Sequence, residues 1–216
     1  MVDPHTDRSP PDLSIASVIA SSPIVPVLTL RGTHDPIGLA RTLVESGVPI
    51  MEVTLRTAEA LEMVRRVRDS VPEMIVGVGT ALNCGDLDRS LAAGALFAVS
   101  PGLTESMVRH AQEIGLPFLP GVSTASELMM ARDLGLRIVK FFPAESVGGA
   151  KMLRRLAPVF SDMTFVPTGG IGPHNVADYR ALSNVVAVGG SWIVPSAALE
   201  AADWSAIASL AKAAIE

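Results

Sequence analysis

Of the three lysines in this 216-residue chain, Lys140 stands apart because it interrupts the apolar run Arg137-Ile-Val-Lys-Phe-Phe-Pro143. The run has the composition of a buried strand. Burial disfavours an ammonium, and an amine relieved of its proton attacks carbonyl carbon, so the chemistry this position predicts is a Schiff base. From this segment alone the alternative is a strand-end lysine that reaches for water or pairs with Glu145.

A second segment supplies an acid and a guanidinium. In Pro49-Ile-Met-Glu-Val-Thr-Leu-Arg56, a period of two places Glu52, Thr54 and Arg56 on one face and Met51, Val53 and Leu55 on the other. The apolar set must pack against helices, so Glu52 and Arg56 point into the sheet interior, where charge is costly unless paired or used on a ligand. Used on a ligand, Glu52 shuttles protons and Arg56 clamps a carboxylate in its fork. Otherwise the two form an ion pair in a polar core. The same alternation sets Lys140 on one face with Ile138 and Phe142. An apolar wall, an amine, an acid and an arginine are the parts needed to form and protonate the iminium of a 2-oxo acid.

Two glycine-rich segments, Pro167-Thr-Gly-Gly-Ile-Gly-Pro-His174 and Gly189-Gly-Ser-Trp192, suit backbone amides that approach an anion. They predict a phosphate site, with Ser191 adding a hydroxyl donor and Thr168 reaching a substrate hydroxyl. Gly77-Val-Gly-Thr80 places Thr80 on the face of Val76 and Val78, either as a partner of Arg56 on the carboxylate or as a helix cap or loop hydrogen bond. Pro101, in Ser100-Pro-Gly-Leu-Thr104, contributes shape rather than chemistry.

These residues need a scaffold that gathers strand ends. Short runs rich in Val, Ile and Phe predict strands over 24–30, 49–56, 74–80, 96–100, 117–122, 137–142, 164–168 and 185–189. Helical periodicity predicts helices over 35–45, 58–69, 85–93, 105–113, 125–134, 150–156 and 175–182, with an earlier one near 14–21 and a last one over 197–215. Thr104 and Thr124 are the expected N-caps, and Gly47, Gly94, Gly115 and Gly135 the expected stops. Eight strands each followed by a helix imply an α/β fold, a (β/α)8 TIM barrel with an extra N-terminal helix, whose site lies at the C-terminal strand ends. An open doubly wound sheet is the rival, but no G-x-G-x-x-G follows the first strand.

Composition bounds the partners. The chain is 49% hydrophobic with a net charge of −5 and no basic block, which argues against nucleic acid and against an anionic membrane surface. No apolar run approaches the roughly 18 residues of a spanning helix. Residues 1–12 are polar and proline-rich and read as a disordered tail ahead of a single domain over 13–216. One cysteine, Cys84, excludes an intrachain disulfide and fits the cytoplasm. His5, His34, His110 and His174 are scattered without metal-ligand spacing, so neither a metal nor a cofactor is expected.

The segments Glu52-Val-Thr-Leu-Arg-Thr57, Val76-Gly-Val-Gly-Thr80, Ser100-Pro-Gly-Leu-Thr104, Lys140-Phe-Phe-Pro-Ala-Glu145, Pro167-Thr-Gly-Gly-Ile171 and Gly189-Gly-Ser-Trp192 occur in one order along the chain. In that combination the sequence resembles the 2-dehydro-3-deoxy-phosphogluconate (KDPG) and 4-hydroxy-2-oxoglutarate (KHG) aldolases. The resemblance implies a class I aldolase acting on a small 2-oxo acid phosphate. Lys140 would be its Schiff-base residue and Glu52 its acid and base. It further implies Arg56 and Thr80 on the pyruvyl carboxylate, Pro101 and Phe142 as pocket walls, and Gly169, Gly170, Gly190 and Ser191 on phosphate. A homotrimer is implied on the same ground. Val78 and Ala81 depart from the family pattern, and an inward Val78 would tighten the pocket. Thr168 is similar to the gluconate rather than the galactonate branch. The rivals are a galactonate-type aldolase, a phosphosugar isomerase or epimerase, and a non-catalytic phosphometabolite-binding barrel.

Overall fold

The computed structural model describes residues 14–216; the tail expected over 1–12, with His5, lies outside the described residues. The described residues open with helix α1 (Ile15–Ile19) and then alternate strands and helices. These are β1 (Ile24–Leu28), α2 (Pro36–Glu45), β2 (Ile50–Thr54), α3 (Ala60–Ser70), β3 (Ile75–Gly79), α4 (Cys84–Ala92), β4 (Ala98–Val99) and α5 (Glu105–Glu113). There follow β5 (Phe118–Leu119), β6 (Gly121–Val122), α6 (Ala125–Asp133), β7 (Ile138–Phe141), a 3-10 turn (Glu145–Val147) and α7 (Gly149–Leu156). The chain ends with β8 (Thr164–Pro167), α8 (Val176–Arg180), β9 (Val188–Gly190), α9 (Ser196–Glu200) and α10 (Trp204–Ile215).

All strand pairings are parallel, in a six-stranded sheet ordered β5-β4-β3-β2-β1-β9 and a three-stranded sheet ordered β6-β7-β8. Isolated parallel bridges join Phe165 to Val185 and Thr168 to Gly189. The result is an α/β fold around a curled parallel sheet.

The fifth expected strand is divided into β5 and β6 because Pro120 has no N–H to donate. Its carbonyl still accepts from the Lys140 amide at 2.9 Å, so the chain switches partner there, from β4 to β7. The single helix expected over 197–215 is also two. Ala202 takes a left-handed turn (φ 51°), and the Asp203 carboxylate caps α10 by accepting from the Ala206 amide. An alanine-rich stretch hides such a break, since alanine favours helix on both sides of it.

Local signals account for other boundaries. Thr104 accepts from the Met107 amide at 3.3 Å, and Thr124 forms a reciprocal capping box with Glu127. Gly115 (φ 67°) and Gly135 (φ 81°) follow α5 and α6; a Cβ would meet nothing within 4 Å at either, so backbone angle alone requires glycine. Between strands and helices lie three apolar clusters. In one, Phe141 meets Phe165 edge to face at 6.3 Å, and fully burying each such side chain contributes about 1.5–3 kcal/mol. Phe141 thus anchors β7 on its outer side while its neighbour Lys140 faces inward.

Candidate active site

A cavity of 690 Å³ opens at the C-terminal ends of the strands, and every candidate residue lines it: Glu52, Arg56, Thr80, Pro101, Lys140, Phe142, Thr168, Gly169, Gly170, Gly190 and Ser191. They come from β2 and β7, from segments following β2, β3, β4, β7, β8 and β9, and from β9 itself. Only closure of the tertiary fold brings them together.

At its floor, Lys140 Nζ lies 3.3 Å from Glu52 Oε1, with side chains 7% and 4% exposed. The lysine pairs across the interior with Glu52. Glu145 instead accepts from the Tyr179 hydroxyl, whose proton is held above its ordinary range by burial first and then by that carboxylate. Lys140 Nζ also stands 5.3 Å from the centroid of the Phe142 ring, which faces the cation with its negative π surface. Beside the acid, the glycine at 79 is a matter of space. A Cβ there would collide with the Glu52 carboxylate, so β3 must carry glycine for Glu52 to lie where it does.

Two positions depart from strict alternation. Arg56 is exposed in the turn after β2, at the mouth of the cavity, so the Glu52–Arg56 core pair does not form. Thr80, which alternation sets with Val76 and Val78, has φ 63° and lines the cavity instead. Val78 is buried in the apolar cluster and is absent from the cavity wall, so its extra volume does not narrow the pocket.

The segment after β8 is shaped for an anion. Gly169 (φ 103°) and Gly170 (φ 77°) are both left-handed. The carbonyl of Thr168 accepts from the Ala144 amide at 2.8 Å, that of Gly169 from the Glu145 amide at 3.1 Å, and that of Gly170 from the Asn175 side chain at 3.1 Å. Among the described residues, nothing in the protein accepts from the N–H of Gly170 or Ile171. Carbonyls engaged by other segments and free amides in residues that line a cavity suit an oxyanion.

The site also contains residues that sequence reasoning left aside. Arg31, which carries no motif, and His34, which reads as one of four scattered histidines, both line the cavity from the segment after β1. Their one available signal was position, since they follow the C-terminal end of a strand.

A family model described as KDPG and KHG aldolase matches residues 15–210. The chain belongs to this family. It is 48% identical over 203 residues to the KHG/KDPG aldolase of Escherichia coli, covering 94% of this chain and 95% of that protein. A structure of KDPG aldolase from Legionella pneumophila, with pyruvate captured as a covalent carbinolamine intermediate, superposes with a TM-score of 0.92 at 39% identity, covering 94% of this chain and 99% of that one. The Zymomonas mobilis aldolase with 3-phosphoglycerate superposes with a TM-score of 0.88 at 42% identity, covering 93% and 94%. Among the described residues, no helix is long and apolar enough to cross a membrane.

Proposed function

We propose that this protein is a class I aldolase that cleaves 2-dehydro-3-deoxy-6-phosphogluconate to pyruvate and glyceraldehyde 3-phosphate, and 4-hydroxy-2-oxoglutarate to pyruvate and glyoxylate. The observation that carries the reading is the buried contact between Lys140 and Glu52 on the floor of a cavity, in a family where a relative holds pyruvate as a covalent carbinolamine.

Glu52 takes a proton from the Lys140 ammonium, the freed amine adds to the C2 ketone, and Glu52 returns the proton as the carbinolamine loses water. The resulting iminium draws the electron pair of the C3–C4 bond as Glu52 takes the proton from the C4 hydroxyl, releasing the aldehyde and leaving an enamine. Protonation of the enamine at C3 and hydrolysis of the iminium return pyruvate and free Lys140. At 3.3 Å from Nζ, Glu52 stands beside the atom on which the carbinolamine and iminium form.

Arg56 and Thr80 hold the pyruvyl carboxylate, which keeps the reacting atoms aligned. Pro101 and Phe142 wall the pyruvyl group, and Thr168 faces a substrate hydroxyl. Gly169, Gly170, Gly190 and Ser191 hold the phosphate, a reading supported by the free amides of the β8 segment. The architecture is a (β/α)8 barrel preceded by α1, a reading supported by the bridges from the β8 segment towards β9 and by the continuation of β5 into β6. Assembly as a cytoplasmic homotrimer follows the resemblance, and the exposed side chains of Leu82, Met129, Met130 and Val159 offer apolar surface for subunit contact.

The test is borohydride reduction in the presence of pyruvate, followed by peptide mapping. One pyruvyl adduct on the peptide carrying Lys140 is expected; a folded protein without an adduct overturns the mechanism.

A further inference from the structure

We propose that the turn after β1, through the Arg31 guanidinium and the His34 N–H, forms a donor wall of the cavity that recognises the terminal phosphate monoester and sets the preference for phosphorylated over non-phosphorylated 2-oxo acids. The proposal rests on the aldolase reading for its substrates, while the anion site itself rests on this chain's geometry.

The cavity is lined by three full cations, Arg31, Arg56 and Lys140, and two carboxylates, Glu52 and Glu200. Lys140 and Glu52 neutralise each other, and Arg56 answers the carboxylate of the 2-oxo acid. A phosphate monoester brings up to two further charges. The free amides of Gly170 and Ile171 offer it dipoles but no net charge. Arg31 is the cation left to balance it. The guanidinium is exposed and, among the described residues, makes no ion pair, Glu200 included. It shares the cavity wall with the other glycine-rich segment: β1 pairs with β9, Pro26 lies in register with Gly190, and Arg31, five residues later, lines the same cavity as Gly190 and Ser191.

His34 is built into the same turn. The Arg31 amide donates to His34 Nδ1 at 3.1 Å, and the His34 amide donates back to the Arg31 carbonyl at 3.0 Å. With Nδ1 accepting, the ring proton resides on Nε2, so the hydrogen-bonding group His34 can offer a ligand is an N–H donor. Arg31 and His34 together present donors without acceptors, which suits a phosphate oxygen and disfavours a neutral aldehyde tail. The terminal group of a six-carbon phosphate is carried two carbons beyond C4, whereas the far carboxylate of 4-hydroxy-2-oxoglutarate is attached directly to C4 and is held closer to the carbon that Lys140 engages.

Steady-state kinetics of Arg31→Ala on both substrates test this, since a charge-assisted hydrogen bond corresponds to about 10–100-fold in affinity. Expected is a loss of about 10–100-fold in kcat/KM for 2-dehydro-3-deoxy-6-phosphogluconate, change within about 2-fold for 4-hydroxy-2-oxoglutarate, and partial rescue by Arg31→Lys. Equal losses on both substrates, or none on the phosphorylated one, overturn the proposal. His34→Asn retains an acceptor for the Arg31 amide and removes the Nε2 donor. A few-fold loss confined to the phosphorylated substrate is expected, and no change removes His34 from the site. Calorimetric binding of glycerol 3-phosphate separates the two levels of inference. Binding weakened by Arg31→Ala supports the anion site whatever the reaction, and unchanged binding sinks it. The aldolase reading fails separately, if the wild type traps no pyruvate on Lys140.

Discussion

Lys140 and Glu52, 88 residues apart in sequence, meet at 3.3 Å with almost no exposure to solvent. Two buried charges tolerate each other in this way because each is the other's counterion; removing one leaves an uncompensated charge, at a cost of about 3–5 kcal/mol. Glu52→Gln and Lys140→Met are therefore each expected to lower stability to urea. The double variant should be more stable than the sum of the two losses predicts, by about 0.5–3 kcal/mol. Cleavage is expected to vanish in every variant that lacks Lys140. Additive losses in the cycle would mean that the pair contributes no coupling.

Gly79→Ala probes the space reserved for the acid. The added methyl meets the Glu52 carboxylate and its stem, so Glu52 must swing away from Lys140. A drop in kcat of at least about 10-fold is expected, with a stability loss of about 1–3 kcal/mol from overpacking. Wild-type kcat would show that the position of Glu52 does not matter to the chemistry.

Thr80→Gly should separate activity from stability. A β-branched residue at φ 63° is strained by roughly 1–2 kcal/mol, and glycine relieves the strain at an entropic cost of about 0.5–1 kcal/mol. The melting temperature is expected to hold or rise slightly while KM for the 2-oxo acid rises, because the hydroxyl we propose for the carboxylate is gone. A fall in melting temperature with KM unchanged, measured by calorimetry and kinetics, would make Thr80 a purely structural residue.

Glu127 links stability to pH. Burial pushes its carboxyl up, but hydrogen bonds from the Ser123 and Thr124 amides and both hydroxyls outweigh this and hold it below the ordinary carboxylate value. A carboxyl depressed in the folded state contributes stability above its unfolded pKa, and that contribution disappears as pH falls through the folded value. Glu127→Ala is thus expected to cost about 0.5–2 kcal/mol at pH 7. The gap from wild type should narrow as the medium is acidified through the carboxylate range. A gap constant with pH would assign the loss to packing.

The segments that carry chemistry were legible as sequence because each is local. A lysine inside an apolar strand, an acid on the inward phase of another strand, and paired glycines after a strand are patterns of two to eight residues, and hydrophobic periodicity sets their phase. The helix caps at Thr104 and Thr124 were legible for the same reason. Other features depend on contacts between distant segments or on a single backbone angle, and no local pattern carries those. Glu52 pairs with Lys140 rather than Arg56 because β2 ends at Thr54 and leaves Arg56 at the rim. Thr80 enters the cavity because its φ is positive, and Arg31 and His34 join the wall because β1 lies beside β9. Sequence alone determined which groups could react and on which strands they lie. The tertiary structure decided which of them meet, because a parallel sheet brings together residues far apart in the chain only once every strand has its neighbour.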